Sequence, residues 1–191
     1  MSRAETAPPA RARRLFFALW PDPATREALA HATRKAVRHC GGRPVAEDNL
    51  HATVAFLGPV PEGRLEAVLA AGAGAAGAAT AFAVSLDTID FWPRPQVLVA
   101  TAATPPEAAA LAEALWRRVE PLGIARDLRP LRVHVTLARK VRKPAPGLGM
   151  HPVAWRVPDL ALVESVTDPA GARYTPLAGW PLAAPGDGVT P

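Results

Sequence analysis

The chain has 191 residues, 49% of them hydrophobic and 20% charged, with a single cysteine, Cys40, and a formal net charge of +5. That length is a prior for one globular domain without a disulfide framework, and no apolar run approaches the roughly 20 residues of a membrane span. The charge is local: residues 126–143 carry Arg126, Arg129, Arg132, Arg139, Lys140, Arg142 and Lys143 against Asp127, a balance of +6, which reads either as an attraction for a polyanion or as a solvated loop.

Residues 1–12 are polar, contain proline and lack an apolar period, so a disordered tail is expected there, with none of the apolar core of a signal peptide. Leu15–Trp20 is a short apolar run suited to a buried strand. Asp22-Pro23 predicts an N-cap followed by proline in the first helical turn, with the helix running to about Arg38 and Gly41-Gly42 ending it. Leu50–Leu57 reads as a strand, and Pro61-Glu62 opens a helix carrying Leu65, Val68 and Leu69 that dissolves into Gly and Ala. Phe82–Phe91 and Gln96–Thr101 read as a hairpin across Trp92–Pro95. Thr104-Pro-Pro-Glu107 has the pattern of a capping box, ahead of a helix whose inner face is Ala108, Leu111, Leu115, Val119 and Leu122. Leu131–Ala138, Val153–Glu164 and Arg173–Leu182 are predicted strands, the last two parted by the turn Asp168–Gly171, with residues 183–191 as a second tail. The order predicts an α+β fold with mostly antiparallel sheets.

The sharpest feature is a doubled pattern, His51-Ala-Thr53-Val-Ala55 and His134-Val-Thr136-Leu-Ala138. Strand side chains alternate, so His51 and Thr53 are expected on one face and Leu50, Ala52, Val54 and Phe56 on the other. By the same rule Arg132, His134 and Thr136 share a face opposite Leu131, Val133, Val135 and Leu137, and Arg139 points away unless the strand ends or bulges. Each copy then presents an imidazole and a hydroxyl ~7 Å apart along a strand. One imidazole can take a proton from an attacking oxygen while the other gives one to a leaving oxygen, and threonine hydroxyls can hold the oxygens of a phosphoryl group as charge builds on them. Such chemistry requires neither a metal nor another cofactor.

His31-Ala-Thr33 repeats the spacing inside a predicted helix, where i and i+2 diverge, and is expected to be a surface histidine. Gly72-Ala-Gly74-Ala-Ala-Gly77 matches a dinucleotide fingerprint as text but follows a helix, with no acidic residue about 20 positions on. Cys40 is expected to be inert, His39 and His151 solvent-facing, and Trp92 available to stack a base. No zinc spacing, P-loop or nucleophile elbow is present.

These residues resemble the 2H phosphoesterase superfamily, and within it the bacterial RNA 2′,3′-cyclic phosphodiesterases, also called 2′-5′ RNA ligases. Leu15–Trp20, Asn49-Leu-His51 with Phe56-Leu-Gly58, His134–Arg139, Glu164-Ser165 and Tyr174 occur in that family's order over about residues 13–182. The resemblance implies one bilobal unit over 13–182, with two pseudo-symmetric sheet-and-helix lobes around a cleft. It implies hydrolysis of an RNA 2′,3′-cyclic phosphate end, tRNA fragments included, to a 2′-phosphate, with a reversible joining reaction that forms a 2′-5′ bond. His51 would be the proton donor and His134 the acceptor, although the two roles can be exchanged on spacing alone. Thr53 and Thr136 would hold the phosphate, and Arg132 and Arg139 are candidates for contact with RNA. Gln96 stands where many relatives carry arginine, with Arg94 two positions earlier. A cytoplasmic monomer with no membrane partner is expected. Competing readings are a phosphodiesterase acting on small cyclic nucleotides, a nucleotide- or RNA-binding module without turnover, and a structural protein in which the doubled motif is chance.

Overall fold

Ala12–Leu19 form strand β1, with Leu15, Phe17 and Leu19 fully buried on one face while Phe16 and Ala18 pack on the other. The computed structural model describes residues 12–143, 148–168 and 171–184. The expected tails therefore lie outside the described residues except for Ala12, which opens β1, and Ala183 and Ala184. Asp22 caps helix α1 (Pro23–His39): its carboxylate accepts from the Thr25 amide at 2.9 Å and the Thr25 hydroxyl at 2.8 Å. The Asp-Pro pair predicts this cap.

A two-residue strand, β2 (Arg43–Pro44), follows, then β3 (Ala52–Pro61), α2 (Leu65–Ala76), β4 (Phe82–Trp92), β5 (Val97–Thr101), α3 (Pro106–Val119), β6 (His134–Arg139), β7 (Leu148–Val157), β8 (Asp159–Asp168) and β9 (Gly171–Pro181). They form a four-stranded sheet ordered β3-β1-β8-β9 and a five-stranded sheet ordered β2-β6-β5-β4-β7, every pairing antiparallel. The α+β expectation holds. Helices α2 and α3 pack on the four-stranded sheet and α1 on the five-stranded one. One apolar cluster gathers the inner faces of both sheets with Leu29 of α1, Val68 of α2 and Leu111 and Leu115 of α3. Shortening one of those leucines to alanine costs about 2–5 kcal/mol.

Three local expectations need correction. The run Val153–Glu164 is two strands in different sheets, divided at Pro158, which has no N–H for a ladder. Helix α2 continues through its Gly/Ala stretch because Gly72 lets it press on the four-stranded sheet: a Cβ there would stand 2.6 Å from the Trp180 ring and 2.7 Å from Phe17. Gly72–Gly77 thus belongs to a helix and its end, not to a strand-to-helix phosphate loop. Thr104 does not cap α3, whose N-cap is Pro105 with no side-chain bond. Its hydroxyl instead donates to the Leu131 carbonyl at 3.3 Å and accepts from the Val133 amide at 3.0 Å, pinning the segment that leads into β6. Within the predicted turn Asp168–Gly171, residues 169 and 170 lie outside the described residues.

Candidate active site

Both motifs stand at strand beginnings: His51 is the residue before β3 and His134 is the first of β6. Each strand then carries a bulge at the same position. In β3, Thr53 lies opposite Ala18 and Ala55 opposite Phe17, which leaves Val54 as an extra residue. In β6, Thr136 lies opposite Val99 and Ala138 opposite Leu98, which leaves Leu137 extra. Two consecutive side chains turn inward in each copy, Val54 with Ala55 and Leu137 with Ala138, all buried. The alternation therefore flips, and the sixth position joins the face of the histidine and threonine. In the first copy that residue is Phe56, opposite Phe16 and 44% exposed; in the second it is Arg139, opposite Val97 and exposed. Strict parity puts Phe56 on the core side, which the bulge in β3 corrects, while the bulge in β6 is the condition under which Arg139 joins the face of His134. The Leu137 carbonyl is satisfied by the Val45 amide at 2.8 Å, so the chain leading from β2 toward His51 is tied to the second motif's bulge.

The two imidazoles are oriented by the same local bond. His51 Nδ1 lies 2.7 Å from the Asn49 carbonyl oxygen, and His134 Nδ1 lies 2.7 Å from that of Arg132. A carbonyl only accepts, so each Nδ1 carries the proton and each neutral ring presents Nε2 as a base. Their surroundings differ. The His51 ring stacks on Trp20 at 5.2 Å and 8° and is walled by Phe16 at 5.0 Å and the edge-on Tyr174 at 4.9 Å. His134 meets one aromatic ring, Trp92, at 4.3 Å, with the Arg132 guanidinium 5.1 Å from the same indole.

Burial holds the His51 imidazole well below its ordinary range, at about 4, against the opposing pull of the Asn49 carbonyl and with added repulsion from Arg139 and His134. His134 is lowered too, again first by burial, opposed by the Arg132 carbonyl and helped by the Arg132 charge. Both rings are therefore neutral at pH 7 in the free protein. The repulsion at His51 comes from residues of the other sheet, so the two motifs share one electrostatic site. Arg139 also spans the sheets, with its Nη2 donating to the Tyr174 hydroxyl at 3.3 Å. The strands β3 and β6 approach one another along this line.

Thr53 and Thr136 share the faces of His51 and His134 and are half-buried. Arg132 is exposed beside Trp92, whose indole N–H donates to Asp90 at 3.3 Å. Gln96 sits at φ 51 in the β4–β5 turn and gives its carbonyl to the Val141 amide at 3.0 Å. Tyr174 was visible only through the resemblance; the geometry gives it a place against His51. Glu164 points elsewhere, with Arg13 at 3.5 Å, and Arg13 also bonds Glu62 at 2.9 Å, which ties β8, β1 and the approach to α2 together. His31 is exposed on α1 beside Arg34, in a groove of about 580 Å³ that none of the four motif residues lines. His39 and His151 are exposed. Cys40 is buried, with its thiol donating to the Val37 carbonyl at 3.1 Å. Among the described residues no three His, Cys, Asp or Glu side chains are grouped to hold a metal ion, and no helix is long and apolar enough to cross a membrane.

Residues 19–99 match the model of the LigT-like phosphoesterase family. The chain is 33% identical over 175 residues to the RNA 2′,3′-cyclic phosphodiesterase of Escherichia coli, covering 89% of this chain and 97% of that protein. It is 34% identical over 183 residues to the protein of the same name from Thermus thermophilus, covering 88% of this chain and 90% of the other. Among solved structures, E. coli LigT complexed with 3′-AMP is similar at a TM-score of 0.80 and 31% identity, over 90% of this chain and 98% of that one. With both strand motifs, the two-sheet fold and relatives of this identity over nearly their whole length, the chain belongs to the LigT-like phosphoesterase family, together with the RNA 2′,3′-cyclic phosphodiesterases.

Proposed function

We propose that this protein hydrolyses the 2′,3′-cyclic phosphate at an RNA 3′ end to a 2′-phosphate, with His51 and His134 as the proton-transfer pair and no metal in the step. The observation that supports this most is the repeated backbone device: two carbonyl-oriented imidazoles, each with a threonine on its face, in one electrostatic site. In this reading His134 Nε2 takes a proton from water as its oxygen attacks phosphorus. The P–O3′ bond breaks on the far side, and His51 Nε2 protonates the departing O3′. The Thr53 and Thr136 hydroxyls donate to the non-bridging oxygens, and Arg139 adds a cation at the site. His51 is neutral in the free protein, so it acquires its proton with the substrate, whose phosphate anion against Nε2 raises its affinity for one.

An RNA 5′-hydroxyl in the place of water gives a 2′-5′ linkage by the same bond changes, and the step is reversible. Arg132 beside Trp92 is a contact for the RNA. Residues 13–182 act as one bilobal unit between terminal tails, consistent with the apolar cluster common to both sheets. A cytoplasmic monomer acting on cleaved RNA ends, tRNA fragments among them, completes the proposal. The test is to incubate the protein, in excess EDTA, with a short RNA ending in a 2′,3′-cyclic phosphate. Release of a 2′-phosphate is expected; an intact cyclic end or a 3′-phosphate product would refute the reading.

A further inference from the structure

The seven cations of residues 126–143 are not equivalent. Arg126 is ion-paired with Glu113 and reaches Glu120 at 3.9 Å, and Arg129 is ion-paired with Asp127 at 2.6 Å. Arg132, Arg139, Lys140, Arg142 and Lys143 have no carboxylate within ion-pair distance among the described residues. Strand β2 adds Arg43, also without such a partner among the described residues, whose backbone lies opposite Arg139. Neither residues 39–46 nor residues 130–143 contain an acidic side chain. Arg43, Lys140, Arg142 and Lys143 are all exposed.

The backbone under these cations is held in place. Val141 is buried, and its amide bonds the Gln96 carbonyl at 3.0 Å. The amides of Arg142 and Lys143 both donate to the Cys40 carbonyl at the end of α1, at 3.1 and 2.9 Å. Gly42 passes so close that a Cβ there would stand 2.8 Å from the Arg139 carbonyl oxygen. Lys140, at φ 54, turns the chain from β6 into this packed corner. Like charges gathered on a fixed scaffold repel one another and draw in a polyanion. The gathering is continuous with the cleft through Arg139, which reaches the Tyr174 hydroxyl beside His51.

We infer that Arg43, Lys140, Arg142 and Lys143 form a track for the phosphodiester backbone of RNA on the 5′ side of its terminal cyclic phosphate, so that a strand of several nucleotides is held more tightly than a free cyclic nucleotide. The inference rests on the proposed reaction. A mononucleotide has one phosphate, which the histidines and threonines already engage, and it leaves these four cations unused. A strand extends 5′ from that phosphate and brings further anions to them.

The test compares two substrates on the unaltered protein: a nucleoside 2′,3′-cyclic phosphate and an RNA of about ten nucleotides with the same end. Each phosphate contact to a single strand contributes a slope of roughly 0.7 in log affinity against log salt, so with four contacts kcat/KM for the RNA should fall with salt more steeply than for the mononucleotide by about 3 in slope. The R43E/R142E/K143E variant should lose about tenfold or more on the RNA at low salt and stay within about twofold on the mononucleotide. Equal salt slopes for the two substrates would overturn the track, as would a variant that loses both reactions in proportion. Failure of the unaltered protein to hydrolyse either substrate would instead remove the reading on which the track depends.

Discussion

The two motifs share a backbone and differ in what surrounds it. Residues 51–56 and 134–139 both run histidine, inward residue, threonine, two inward residues, outward residue, with the bulge at the same place and an Nδ1-to-carbonyl bond of 2.7 Å in each. The first copy sits among Trp20, Phe16 and Tyr174 and ends in Phe56, whereas the second has Trp92 and Arg132 beside it and ends in Arg139. A symmetric pair of imidazoles would titrate alike, yet acid and base work needs groups whose proton affinities diverge. The aromatic enclosure of His51 and Arg139 on the other sheet make the two unequal in the free protein, and His51 gains the proton its acid role needs only with the substrate phosphate against it.

The largest effects should come from removing either half of the pair. His51→Ala and His134→Ala should each lower kcat by about 10²–10⁴-fold on an RNA cyclic phosphate, with His31→Ala unchanged. Near-normal turnover in either motif variant would break the comparison at its root. Thr53→Ala and Thr136→Ala should each cost roughly ten- to a hundredfold in kcat/KM, the loss of one hydrogen bond to a charged group. Unchanged kinetics in both would remove the threonines from phosphate binding.

Titration sharpens the asymmetry. Because both histidines are held below their ordinary value, the singly protonated pair in the free protein becomes scarcer as pH rises, so kcat/KM should be higher at about pH 6 than at about pH 8. Arg139→Gln relieves repulsion at His51, so the His51 resonances should titrate at higher pH in that variant; a downward or absent shift would contradict the cross-sheet coupling. The same depression sets a stability window. With a folded value near 4 against 6.5, the folded state binds fewer protons than the unfolded chain in that interval. Stability should therefore be full above about pH 6.5 and decline as pH falls toward about 4. The smallest expected effect is Thr104→Val, which leaves the Val133 amide without its acceptor. A loss of about 1 kcal/mol in urea unfolding is expected, and an unchanged midpoint would show that Thr104 does not pin β6.

Much of this was legible in the residues. The Asp22-Pro23 cap, the α3 face and the strand context of both motifs follow from local periodicity. The bulges did not, because register is set by the partner strand. A local trace nevertheless existed: the apolar pairs Val54-Ala55 and Leu137-Ala138 break alternation at matching positions and place Phe56 and Arg139 in correspondence. The role of Thr104 escapes local pattern because its hydroxyl bonds residues 27 and 29 positions away, and Tyr174 reaches His51 only once β8 and β9 are paired. The division at Pro158 was hidden by apolar residues on both sides of it.

If the doubled motif works as an acid and a base, a substrate with sulfur in place of the bridging 3′ oxygen separates the two roles, since a thiolate departs without a proton. Rates of the unaltered protein, His51→Ala and His134→Ala should be compared on the oxygen and sulfur forms. His51→Ala is expected to regain most of its lost rate on the sulfur substrate while His134→Ala stays impaired. Equal impairment of both variants on both substrates would contradict proton transfer by the pair, and rescue of His134→Ala alone would reverse the two roles.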